Sequence, residues 1–243
     1  MPGYDSGAHE EVSYVTMQKP LLMFDVEGTL VDCVQEMLSC WKRTFLRFGF
    51  EFSIPKLHRH SGRDPNDMIK LLLPSEDAER LSEPLKKENG KLYRAECLPK
   101  VKAFPEVKAL FEEPEIARCA RGLVTSCAKD ELDHYLDLMG ISKSVDFIVC
   151  GEEVDRQKPH PDLINLALKR AERDASDATM IGDTPFDTQA GKAAGVASIG
   201  VLCGGFSIRE LQKAGCRLVY RDPAHLRKQL VEWTERTFNR AAQ

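Results

Sequence analysis

No run in these 243 residues approaches the ~20 consecutive apolar side chains that a membrane-spanning helix needs. A basic cluster is also missing. Lys and Arg number 34 against 38 Asp and Glu, a formal charge of −4, which argues against a nucleic-acid or anionic-membrane surface. The eight cysteines include no C-x-x-C pair and no zinc-type spacing, and several sit in apolar segments, as reduced thiols behaving like small hydrophobes do. Internal repeats and low-complexity tracts are absent. Residues 1–19 lack the basic start and apolar stretch of a signal peptide, so this reading expects a cytoplasmic chain with a loose N-terminal tail. What remains is a globular protein, larger than one average domain, whose expected partner is a small soluble ligand.

Against that background the acidic strings stand out. The apolar run Leu21-Leu22-Met23-Phe24 ends at Asp25 and opens into Val26-Glu27-Gly28-Thr29-Leu30. Far downstream, Ala178-Thr179-Met180-Ile181 leads into Gly182-Asp183-Thr184-Pro185-Phe186-Asp187. Two buried strands would each deliver carboxylates to their C-terminal tips, and in an open parallel sheet those tips border the ligand crevice. Crowded carboxylates repel one another unless a cation joins them, and a hard ion such as Mg²⁺ suits oxygen ligands.

The remaining pattern supports such a sheet. From Phe104 onward, strand and helix alternate: a helix to about Phe111, strand Cys119–Val124, helix Lys129–Met139, strand Phe147–Cys150, helix Pro161–Arg173. The strand before Asp183, helix Pro185–Ala194, strand Val196–Val201, helix Ile208–Ala214, strand Arg217–Tyr220 and a closing helix follow. Strict alternation implies a doubly wound α/β fold with a parallel sheet and right-handed crossovers. Between the first and second strands lie only helical patterns, over Glu36–Phe50, Asp67–Leu73 and Ala78–Leu92. The expected organisation is therefore a tail over 1–19, a Rossmann-like core from 20–32 and 100–243, and an inserted all-α cap over 33–99.

Four stations fall just beyond strands or in the loops after them: Asp25 with Glu27, Thr125-Ser126, Lys158, and Asp183 with Asp187. In this order and setting they resemble the haloacid-dehalogenase-like (HAD) superfamily, and most of all its phosphoglycolate-phosphatase-like branch with a small helical cap, over Leu21 to about Leu230. The chemistry accounts for the residue types. A phosphate dianion repels nucleophiles, so a site must neutralise charge before it attacks. A carboxylate at Asp25 can attack phosphorus in line and form an acyl phosphate that water then cleaves. Mg²⁺ shared by Asp25 and Asp183 would remove the repulsion, with Asp187 a further acidic partner and, as the resemblance implies, the backbone carbonyl of Glu27 another ligand. Lys158 and the Thr125 hydroxyl would face the phosphoryl oxygens, with Ser126 beside them.

One position departs from the branch. Its phosphatases usually carry Asp two residues after the nucleophile as the acid for the leaving alcohol, and here Glu27 stands there, its carboxyl displaced by ~1.5 Å. Enolase-phosphatase-type members also carry Glu, so phosphatase chemistry is retained in this reading, with Glu27 as the general acid. Within the cap, His58-Arg59-His60-Ser61-Gly62-Arg63-Asp64 is the candidate specificity loop, with Arg63 reaching the substrate and His60 a candidate relay base. Phe50 and Phe52 are expected in the cap core. The function expected is a Mg²⁺-dependent phosphatase of a small phosphorylated metabolite. A sugar phosphomutase and a catalytically weak binding or regulatory protein are the alternatives. The sequence names neither the substrate nor the oligomeric state.

Overall fold

The computed structural model describes residues 19–229. The expected N-terminal tail up to residue 18 and the segment from Trp233 lie outside the described residues.

β1 (Leu21–Phe24) is the centre of the molecule. Its odd-numbered side chains, Leu21 and Met23, pack with Val124, Leu163, Ile164 and Met180 on one face, while Phe24 joins Leu110, Phe111, Leu123 and Tyr135 on the other. This is the period-2 alternation of a strand covered on both sides, which is why the run is apolar throughout. The chain then forms β2 (Val31–Asp32), the helices α1 (Val34–Arg47), α2 (Ile54–His58), α3 (Pro65–Leu72) and α4 (Ser75–Leu92), and returns through β3 (Lys102–Ala103). β2 and β3 pair antiparallel, Val31 opposite Ala103 and Asp32 opposite Lys102, so the outgoing and returning chains cross as one short ribbon.

The four inserted helices bury their own core: Leu38, Phe45, Phe52, Leu57, Ile69, Leu81 and Leu85 form a cluster apart from those on the sheet. Phe45 and Phe52 meet edge to face at 5.0 Å. Phe50 packs at the margin of this cluster. Helix starts follow sequence signals. Asp64 caps α3 by accepting the Asn66 and Asp67 N–H groups, with Pro65 at the first turn.

After β3 the chain alternates as the sequence implies: α5 (Val107–Glu112), α6 (Pro114–Ala117), β4 (Ala120–Val124), α7 (Lys129–Met139), β5 (Phe147–Val149), α8 (Asp162–Ala171), β6 (Ala178–Gly182), α9 (Pro185–Ala193), β7 (Ala197–Val201), α10 (Ile208–Ala214) and β8 (Leu218–Tyr220). The sheet is parallel throughout, in the order β5-β4-β1-β6-β7-β8. Starting from β1 the chain winds outward through β4 and β5, then returns to β1's other side for β6, β7 and β8. The loops after β1, β4 and β6 therefore open into one crevice at the point of reversal. Among the described residues no helix is long and apolar enough to cross a membrane.

Candidate active site

Asp25 follows β1 directly, and its N–H donates to the Ile181 carbonyl of β6 at 2.9 Å. The backbone ladder thus sets the first acid beside the second before any side chain is considered. Asp25, Asp183 and Asp187 are all buried, and one oxygen of each lies within 4.8 Å of the others. Thr29 bridges two of them, its hydroxyl 2.8 Å from Asp183 Oδ1 and 3.3 Å from Asp25 Oδ2. Gly28 adopts φ +81°, and a Cβ there would stand 2.5 Å from Asp183 Oδ2. Any side chain at this turn would displace the carboxylate, which is the physical reason for glycine.

Lys158 reaches the same point from the loop after β5 and is only 1% exposed. Its ammonium donates to Asp25 Oδ1 at 2.5 Å and to the Val124 carbonyl at 2.9 Å, and pairs with Asp187 Oδ1 at 2.7 Å. Burial alone would lower its pKa, but the Asp187 and Asp25 charges overcome that and hold it above the ordinary lysine value. Asp187's other oxygen accepts the Thr184 N–H and hydroxyl, closing a capping box at the start of α9. Asp187 is thereby a helix cap and the partner of Lys158 at once.

Three carboxylates and one ammonium leave the cluster anionic. Burial first, then the Asp187 charge, pushes Asp25 up to about 6 against the pull of Lys158. Asp183 is raised well above its usual range by burial and by the Asp25 and Asp187 charges. Oxygen ligands only, rigidly held, and short of positive charge, these residues fit a small hard divalent cation.

Glu27 lines the recess next to Asp25. Burial, together with the Glu131 and Asp25 charges, pushes its carboxyl up to about 8, and Tyr135 donates a hydrogen bond to Oε1 at 3.2 Å. The two residues after β4 divide. Thr125 is fully buried and its hydroxyl accepts the Cys127 N–H at 3.2 Å. Ser126 lines the recess, with its buried Oγ lacking a hydrogen-bond partner among the described residues.

The inserted helices are seated on this crevice. Asp64 accepts the Gln157 N–H at 2.9 Å and donates its own N–H to the Lys158 carbonyl at 2.7 Å. His58 Nε2 lies 2.6 Å from the Gly204 carbonyl, and its ring stacks on Phe206. Arg63 lies over the Phe186 ring at 4.4 Å. Gly62, at φ +80°, brings the loop so close to Thr184 that a Cβ would meet its Cγ2 at 2.7 Å.

Beneath the seated helices lies a cavity of about 80 Å³ continuous in its lining with the acidic recess through Glu27, Met37 and Ser126. Its wall is apolar on the inserted side, with Met37, Leu38, Trp41, Leu57 and Met68. Four buried polar atoms around it, His60 Nδ1, Arg63 Nε, Ser126 Oγ and Gln157 Oε1, have no hydrogen-bond partner among the described residues. Unsatisfied buried polar groups are costly and rare, and a ring of them around one cavity marks a place built to be filled. Burial and the nearby Arg63, Lys56 and Arg59 charges lower the His60 pKa.

Of the candidates from the sequence, Asp25, Glu27, Ser126, Asp183 and Asp187 line one recess, Lys158 pairs with Asp25 and Asp187, and Arg63 lines the adjoining cavity, while Thr125 is buried with its hydroxyl engaged by the Cys127 N–H. A family model for haloacid dehalogenase-like hydrolases matches residues 22–201. The chain belongs to that family. Its relatives include a pyrophosphatase, PpaX, of Oceanobacillus iheyensis, 26% identical over 180 residues that cover 74% of this chain and 82% of that protein. A phosphoglycolate phosphatase of Aquifex aeolicus is 24% identical over 188 residues, 76% of this chain and 85% of its own. Among solved structures, a hydrolase from Pseudomonas syringae superposes with a TM-score of 0.77 at 28% identity, covering 88% of this chain and 99% of that one. This haloacid dehalogenase-like protein is a hydrolase of the phosphoglycolate-phosphatase-like branch.

The residues that the sequence did not single out come from elsewhere in the chain. Thr29 lies inside the first acidic string without an assigned role. Asp64 closes the candidate specificity loop, but nothing in the sequence marks its contacts with Gln157 and Lys158. Trp41, Met37 and Tyr135 sit on helices whose periodicity marks only a buried face.

Proposed function

We propose that this hydrolase cleaves a small organic phosphomonoester, using Asp25 as nucleophile and Mg²⁺ as cofactor, with residues 33–99 acting as the cap. The observation that carries the reading is the convergence of Asp25, Asp183 and Asp187 within 4.8 Å around a fully buried Lys158. Asp25, Asp183 and the Glu27 carbonyl would hold the ion, with Asp187 beside them. When bound, it neutralises the phosphoryl charge and orients the group for in-line attack.

The protein's own residues do the rest. The Asp25 carboxylate attacks phosphorus and the leaving oxygen departs with a proton from Glu27, giving an acyl phosphate and a free alcohol. A carboxyl raised to about 8 is protonated at neutral pH, the state a general acid must begin in. The Glu27 carboxylate so formed takes a proton from water as that water attacks the acyl phosphate, regenerating Asp25 and releasing inorganic phosphate. Lys158, Thr125 and Ser126 supply charge and hydrogen bonds to the equatorial oxygens as negative charge redistributes. Asp187 keeps Lys158 in place.

The cavity chemistry favours an organic leaving group over a second phosphate. Its walls are Met37, Leu38, Trp41, Leu57 and Met68, and Arg63 is the one cation among its lining residues, too little to balance a departing phosphate dianion beside Glu27. An alcohol with a short apolar body and an acceptor for Arg63 Nε would satisfy both the wall and the unpartnered donor. The test is phosphate release from a panel of sugar phosphates, carboxylate phosphates and pyrophosphate, with and without Mg²⁺. Mg²⁺-dependent turnover of an organic ester, lost in Asp25→Asn, is the expected result. Undiminished turnover in Asp25→Asn would end the proposal, and a preference for pyrophosphate would end the assignment of the leaving group.

A further inference from the structure

Glu27 carries one more rotatable bond than the aspartate it replaces, so its carboxyl sweeps a wider arc and needs lateral support to point anywhere in particular. The structure supplies that support from two remote places. Tyr135, on α7, is fully buried, and its hydroxyl lies 3.2 Å from Glu27 Oε1. Tyr93, which opens the π-helical turn Tyr93–Cys97 where the chain leaves α4, puts its own hydroxyl 2.6 Å from that of Tyr135. Each phenol has one proton to give. With the Glu27 proton on Oε2, where it serves the leaving group, Oε1 accepts from Tyr135, Tyr93 is the donor to Tyr135, and the chain has one polarity: Tyr93 to Tyr135 to Glu27 Oε1. Both rings sit in an otherwise apolar cluster with Phe24, Leu110, Leu132 and Met139, where a phenolic hydroxyl without a partner would be penalised.

We propose that Tyr135, anchored by Tyr93, is the positioning residue that holds the Glu27 carboxyl in the orientation for proton transfer to the leaving group. Fixing Oε1 turns the carboxyl so that Oε2 is left for the crevice that Glu27 lines. Because Tyr93 lies on the return path from the inserted helices to the core, the same two hydroxyls tie the orientation of the acid to the seat of the cap. This inference rests on the phosphatase reading above, and it adds a demand that the reading alone does not make: the tyrosines matter only as far as the leaving group needs a proton.

That dependence is the test. Turnover of phosphoglycolate, whose leaving group is an alkoxide, is compared with that of p-nitrophenyl phosphate, whose phenolate departs unaided, both with saturating Mg²⁺. Tyr135→Phe is expected to lower kcat on phosphoglycolate about 30-fold, the scale of a misplaced catalytic group, and on the nitrophenyl ester by less than about 3-fold. Tyr93→Phe should shift the same ratio in the same direction by a smaller factor. In a Glu27→Gln background, Tyr135→Phe should add nothing, since there is no acid left to orient. Equal losses on both esters, no loss on either, or additive losses with Glu27→Gln would each overturn the positioning role. Were Tyr135→Phe to fold poorly, Tyr93→Phe carries the same comparison, because it leaves the Tyr135–Glu27 contact in place. Wild-type protein inactive on every ester of the panel above would instead defeat the phosphatase reading, and the positioning role with it.

Discussion

The two halves of the crevice are built on opposite principles. On the sheet side charge is paired within the protein: Lys158 spans Asp25 and Asp187, Thr29 joins Asp25 to Asp183, and Asp187 closes its own helix cap. In the residues lining the cavity under the inserted helices, Arg63 Nε, His60 Nδ1, Ser126 Oγ and Gln157 Oε1 have no hydrogen-bond partner among the described residues. The contrast follows from what each half must do. Charge that has to be in place before a dianion arrives is preorganised, so no reorganisation is needed during reaction. In the proposed reaction the groups that select the leaving group bond to it, and the protein leaves them without internal partners.

The sheet side is most sensitive at the proposed nucleophile. Asp25→Asn should cut turnover on any phosphomonoester by about 10⁴-fold or more, as removal of a covalent nucleophile does, measured as phosphate release under saturating Mg²⁺. Next is Lys158→Ala, which leaves two buried carboxylates without their counter-charge. It should lower kcat on the order of 10²–10³-fold and destabilise the fold by roughly 3–5 kcal/mol, read by denaturant titration. A retained Tm would mean that the preorganised half does not depend on this pair. The same half is sharpened by adding metal. At about 100 times its Kd, Mg²⁺ should stabilise the wild type by about 2.7 kcal/mol, several degrees in Tm, and Asp183→Asn should lose most of that gain.

On the side of the inserted helices the effects should be smaller and fall on binding. Arg63→Gln is expected to raise KM for the preferred organic ester about 10-fold, the cost of one charge-assisted hydrogen bond, with stability little changed. The mildest effect on activity is expected from Gly62→Ala. A Cβ at φ +80° against Thr184 should cost about 1–2 kcal/mol locally and lift the loop, seen as a higher KM with an unaltered Mg²⁺ response. If Gly62→Ala lowered the Mg²⁺ response as strongly as Asp183→Asn, the two halves would not be separable in the way their hydrogen bonding implies.

Much of this was legible before folding. Leu21–Phe24 ending in Asp25 could be read as a buried strand because an internal parallel strand is apolar on both faces, and Lys129–Met139 and Ile208–Ala214 match α7 and α10 at both ends because periodicity, with Gly140 closing α7 and Ser207 and Gly215 bounding α10, marks them. The short pieces were not legible. α2, α6 and the β2–β3 ribbon are too brief for a period to develop, and β2 forms only because β3 returns some seventy residues later to pair with it. Within the site, Asp25, Glu27, Lys158, Asp183 and Asp187 could be picked out by their place after strands. Tyr135, Tyr93 and Trp41 could not, since an aromatic residue at helical spacing looks the same whether its hydroxyl or ring edge meets a core or a catalytic acid.

Local sequence therefore determined where each strand and long helix would lie and which acids would stand at strand tips, because backbone propensity and burial act over a few residues. Tertiary structure alone decided what those acids touch. The register of β1 against β6 brings Asp25 to Asp183, Lys158 arrives from a loop over a hundred residues away, and the seating of the inserted helices closes a cavity that no single segment contains. Electrostatics and hydrogen bonding act across a few ångströms of space, and only the folded chain sets which residues share those ångströms.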